Sequence, residues 1–148
     1  MTRQIVVLSL ILASFCSAQT LNSFETPQEM KAFSAGGLQA TQVKEHATDG
    51  QYSLLVSVKG SATDTWPGLS FTPPNPDLSG VAVLAFDVFN PGSGPVSLSC
   101  RIDDTAGKSV FLSSNLNPGR STVEWWLTSH RFNLDMKHIK TTYPYFRM

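Results

Sequence analysis

Cysteine is nearly absent, with Cys16 and Cys100 the two in 148 residues. Charge is scarce as well: 15% of residues are charged, where a typical soluble domain has about 25%. The 11 basic residues balance 11 acidic ones, which excludes a general electrostatic grip on nucleic acid or on an anionic membrane. No apolar run approaches the ~20 residues of a bilayer-spanning helix. The histidines His46, His130 and His138 lack metal-ligand spacing, and the chain has no Gly-rich phosphate loop or nucleophile elbow. What remains is a neutral chain with 41% apolar residues, too hydrophobic to stay disordered. At ~150 residues per domain there is room for one domain.

The N-terminus has the form of an export signal. Arg3 is followed by the uncharged apolar run Ile5–Phe15, which ends in the small residues Cys16-Ser17-Ala18. Residues 1–18 therefore read as a cleaved signal peptide, with an uncleaved membrane anchor as the alternative. The expected mature chain is a single domain over 19–148, secreted or periplasmic, with no membrane span after cleavage. Cleavage leaves Cys100 alone, so no internal disulfide can form. It lies on the apolar face of Val96-Ser97-Leu98-Ser99-Cys100-Arg101-Ile102 and reads as a small buried hydrophobe.

Beyond Gln19 the pattern has period two. Leu84, Phe86 and Val88 alternate with Ala85, Asp87 and Phe89, and Val123, Trp125 and Leu127 with Glu124 and Trp126. Turn clusters such as Asn90-Pro91-Gly92-Ser93-Gly94-Pro95 and Asn117-Pro118-Gly119 bound these runs. The expected strands lie near 20–25, 38–45, 51–58, 65–71, 81–89, 95–103, 108–114 and 121–127. A last one near 139–146 is weakened by Pro144, because proline argues against a central strand. Thr26-Pro27-Gln28-Glu29 forms a capping box and predicts one short helix from Pro27 to about Phe33. Many antiparallel strands with little helix make an all-β sandwich.

Several segments, in order, resemble one family. They are Phe24-Glu25, His46-Ala47-Thr48-Asp49-Gly50-Gln51-Tyr52-Ser53-Leu54, and Asp77-Leu78-Ser79-Gly80 followed by Leu84-Ala85-Phe86-Asp87-Val88-Phe89-Asn90-Pro91. Asn117-Pro118-Gly119-Arg120-Ser121-Thr122-Val123 and Leu134-Asp135-Met136-Lys137-His138-Ile139-Lys140 continue the series. Over residues 20–140 the chain resembles the carbohydrate-binding-module-like jelly rolls, galactose-binding-like domains attached to bacterial glycoside hydrolases and agarases. The resemblance implies an antiparallel jelly roll and a structural calcium near the first strand, with Glu25 as one ligand and backbone carbonyls near Asp49 as others. Such domains usually close with a strand reading like "Y-L-D-N-I-R-L" beside the first one. Here Tyr143-Pro144-Tyr145-Phe146-Arg147-Met148 stands instead. The expectation is an altered or missing last strand, an open edge beside residues 20–25 that invites a partner strand, and a calcium site weakened or absent. A truncated gene would leave the same trace.

Sugar recognition uses flat rings against the apolar faces of pyranosides and planar polar groups for their hydroxyls. The candidates are Trp126, Trp66 and Phe89 as rings, with Arg101 and Asp87 as outward polar partners. For Trp126 the competing reading is a ring half-buried under a loop, and for Trp66 it is packing at the edge of the core. Asp87, Asp103 and Glu124 would have to share a face to act as the paired carboxylates of a glycosidase. The function expected is non-catalytic recognition of a polysaccharide or cell-surface glycan. The alternatives are an interaction sandwich without a sugar site, and a small glycoside hydrolase or lyase.

Overall fold

In a computed structural model, the backbone is described for residues 3–14, 18–58, 66–131 and 133–146, and side chains from residue 20 onward. Cys16 and Ser17 of the expected signal-peptide end and the start of the strand expected at 65–71 lie outside the described residues, while the expected cut after Ala18 falls within a described strand. The elements run β1 (Arg3–Ser14), β2 (Ala18–Asn22), α1 (Pro27–Lys31), β3 (Phe33–Gly36), β4 (Leu38–Val43) and β5 (Ser53–Val58). They continue with β6 (Gly68–Phe71), β7 (Val81–Asn90), β8 (Val96–Asp104), β9 (Ser109–Leu116), β10 (Gly119–Trp126), a 3-10 turn (Thr128–His130) and β11 (Ile139–Phe146). One sheet has the order β10-β7-β1-β5-β4, with β2 continuing the β5 side of β1. The other has the order β3-β6-β11-β8-β9. All recorded pairings are antiparallel. The protein is an all-β antiparallel sandwich.

The core lies between the sheets, as alternation requires. Leu54, Val56, Leu84, Phe86, Val88, Val123 and Trp125 face Leu69, Phe71, Leu98, Cys100, Ile102 and Phe146, all buried. Trp125 packs edge-on against Phe86, centroids 4.8 Å apart, and its indole N–H donates to Ser114 Oγ at 3.1 Å. Burial pushes the Cys100 thiol up to about 12, so it acts as the small hydrophobe expected. A cavity of about 30 Å³ lies beside it, among Phe24, Phe33, Phe71, Phe86 and Trp125.

Three sequence readings need correction. First, Pro144 sits inside β11, a central strand between β6 and β8. The β8 ladder runs through it, with Pro144 opposite Cys100. On the other side, β6 bridges β11 only at Thr142↔Phe71 and Tyr145↔Gly68. The Phe146 N–H points that way, donating to the Pro67 carbonyl at 2.9 Å. By alternation the missing proline N–H points the same way, into the interval where β6 makes no bridge. The ladder to β8 is therefore intact, and one side absorbs the loss. Second, the expected 27–33 helix stops at Lys31. Phe33 starts β3 instead, because its ring stacks on Phe71 at 4.8 Å. The capping box at Thr26 and Glu29 forms as read. Third, residues 3–14, set apart in the sequence reading as a leader, are placed as a central strand between β5 and β7, and β2 pairs with them along one side.

Candidate functional site

The outer face of the β3-β6-β11-β8-β9 sheet collects the rings and polar groups that a flat recognition surface needs. Its middle row is set by register: Tyr143 on β11 lies opposite Arg101 on β8, which lies opposite Phe111 on β9. Tyr145↔Ser99↔Ser113 and Thr141↔Asp103↔Ser109 flank that row. These residues face out because Leu98, Cys100 and Ile102 occupy the core side of the same strand with no exposure.

The aromatic end of the face is built on glycine. Gly36 pairs with Gly68, and the Tyr143 ring lies across both. A Cβ on Gly68 would meet that ring at 2.7 Å and the Pro144 carbonyl at 2.7 Å. Tyr143 Oη donates to the Trp66 carbonyl at 3.0 Å. Its ring stacks on Tyr145 at 5.9 Å, and Tyr145 meets the Trp66 indole edge-on at 5.5 Å. At the far end the Phe111 ring is 64% exposed, which leaves its face open to a partner. Between them, the Arg101 guanidinium bonds one Asp103 oxygen through Nη2 at 2.8 Å and Nε at 3.0 Å. Ser109 Oγ donates to the other oxygen at 2.6 Å. The planar cation is thus fixed against the sheet and neutralised. From β6 to β9 the face is three strand spacings wide, about 14 Å.

The other sequence candidates lie on the opposite side of the molecule. Asp87 and Arg101 are not neighbours, because the 91–95 turn carries the chain from one sheet to the other instead of closing a hairpin. Asp87 accepts a hydrogen bond from Thr122 Oγ1 at 2.7 Å. The Phe89 ring is covered by His46, centroids 3.7 Å apart and nearly parallel. Trp126, on the edge strand β10, is 58% exposed and not tucked under a loop. Trp66 is 47% exposed at the aromatic end of the platform. Asp87 and Glu124 share the outer face of one sheet, while Asp103 belongs to the other. The sequence reading missed Tyr143, Tyr145 and Phe111. The signal for the tyrosines was their period-two spacing, which proline masked.

Glu25 and Asp49 both act as hydrogen-bond acceptors in the turn region beside β2. Glu25 Oε1 takes the N–H groups of Gln51 and Tyr52 at 2.8 and 2.7 Å. Asp49 Oδ2 accepts from Thr20 Oγ1 at 3.3 Å. Among the described residues no three His, Cys, Asp or Glu side chains gather to hold a metal. Calcium takes about six to eight oxygens, backbone carbonyls among them, and here Glu25 and Asp49 each give one carboxylate oxygen to donors of the chain itself.

The class these features define is an antiparallel β-sandwich with an aromatic and polar strip on one outer face. Comparison with solved structures returns the same fold. An exo-β-agarase aligns with a TM-score of 0.64 at 16% identity, covering 78% of this chain and 21% of that one. PfGH50B aligns with a TM-score of 0.59 at 20% identity, covering 78% and 20%. The agarase AgWH50C aligns with a TM-score of 0.61 at 12% identity, covering 94% and 22%. The chain therefore spans about a fifth of the length of these proteins. No family of known sequences and no curated protein matches it.

Proposed function

We propose that this is an exported, non-catalytic carbohydrate-binding module-like protein, whose outer β6-β11-β8-β9 face lies against a neutral polysaccharide. The row Tyr143–Arg101–Phe111, extended by Tyr145 and Trp66, carries the reading. It offers exposed rings for stacking, fixed planar donors beside serine and threonine hydroxyls, and no net charge to favour an ionic ligand. The fold likeness to agarases supports it, since the shared part is about a fifth of each of those chains and so has the size of an accessory unit. Metal-free binding belongs to the same reading, supported by the chain's own donors to Glu25 Oε1 and Asp49 Oδ2.

Affinity electrophoresis through gels cast with agarose, β-glucan or xylan tests it. The folded protein is expected to be retarded by at least one polymer, with or without EDTA. Phe111→Ala and Trp66→Ala should each weaken binding about tenfold, as for an aromatic anchor of an interface. Trp126→Ala should leave mobility unchanged. Unaltered mobility against every polymer would contradict the proposal. So would release of reducing sugar that Asp87→Asn or Glu124→Gln abolishes.

A further inference from the structure

The segment with the form of a removable leader occupies an interior position. Arg3 to Val7 of β1 pair with Val58 to Leu54 of β5. Val6 and Val7, then Leu10 to Ser14, pair with β7 between Phe89 and Val81. Without β1 the two strands would stand two spacings apart, about 10 Å, each with a bare hydrogen-bonding edge. Behind the gap lie Leu54, Val56, Leu84, Phe86 and Val88, none more than 3% exposed.

Sequence shows that these edges are not made to face water. Exposed edges are normally protected by charge, proline or a bulge. The outermost strand β10 carries Arg120 and Glu124, and β4 carries Gln39, Thr41 and Gln42. β5 reads SLLVSV with no charge, and β7 has Asp87 alone in ten residues. Neither contains proline.

We propose that the slot between β5 and β7 is a strand-acceptor site, which an extended apolar strand of another polypeptide fills once residues 1–18 are removed at export. The occupant runs antiparallel to both edges, as β1 does. It supplies main-chain hydrogen bonds on two sides and presents an apolar residue to the core at every second position. The site is separate from the glycan platform, which lies on the other sheet.

A protease site placed within residues 15–17 of the full chain tests this. After cleavage of the folded protein, a labelled peptide of residues 3–14 is added. The peptide is expected to displace the cut segment and bind one per chain. A Val7→Pro peptide should bind about tenfold more weakly, since Val7 pairs with both Leu54 and Val88 and proline removes a ladder bond. Failure to take up the peptide overturns the proposal, whether the cut protein keeps its fold or loses it. An intact mass showing residues 3–14 still attached to the exported protein overturns it too.

Discussion

Gly68 shows how one missing side chain organises the platform. Its Cα is the floor under Tyr143, and it admits the Pro144 carbonyl from the neighbouring strand. A methyl group there would drive into backbone, which cannot give way as a flexible side chain can. Gly68→Ala is expected to cost about 1–3 kcal/mol by overpacking, read as a lower urea midpoint, and to disturb the Tyr143–Tyr145 stack. Glu25 plays a comparable part at the opposite corner. Gly50, at φ 77°, lets the 49–52 turn wrap its carboxylate, where a Cβ would sit 2.6 Å from Oε1. Glu25→Ala leaves the Gln51 and Tyr52 amides without their acceptor and should lose about 1–3 kcal/mol. Added calcium should not restore the loss.

Among the elements, β8 was fully legible in sequence. A strand reading Leu98, Cys100, Ile102 on one side and Ser99, Arg101, Asp103 on the other has a single register that buries no charge, and its burial follows that pattern. The interior strand β7 and the capped start of α1 were legible for equally local reasons. β11 was not. Proline in Thr142-Tyr143-Pro144-Tyr145 argues against a central strand unless one knows which neighbour its missing N–H faces, and that is a fact of topology. Sheet membership was hidden in the same way. Nothing in Pro91-Gly92-Ser93-Gly94-Pro95 says whether the chain turns back or crosses over, so Asp87 and Arg101 could not be told apart by face. Two of the five residues of the candidate site were therefore legible, Trp66 and Arg101, while Tyr143, Tyr145 and Phe111 needed the register of three strands.

At the scale of the whole molecule, backbone donors hold several carboxylates and set its response to acid. Asp104 accepts the Asp135 N–H at 2.9 Å and the Lys108 N–H at 2.8 Å, which keep its carboxyl below the ordinary range. Asp77 is lowered by Ser79, and Asp135 by its hydrogen bond to His138. For Glu29, partial burial pulls upward, but donors from Ser23 and Thr26 outweigh it. Groups whose folded value is depressed add stability above their unfolded value, about pH 4, and lose it as pH falls through the folded one. Thermal midpoints should thus be flat near neutrality and fall below about pH 4. Asp104→Asn should lower the neutral midpoint and flatten that acid limb.

The two outer faces can be distinguished in a single sample, because Trp66, Trp125 and Trp126 report on the platform, the core and the opposite sheet respectively. The direct measurement is a titration of ¹⁵N-labelled protein with an agarose-derived oligosaccharide, following the three indole N–H signals. Saturable movement of the Trp66 signal, with Trp125 and Trp126 stationary, is the expected result. Movement of Trp126 with Trp66 unmoved would contradict the account.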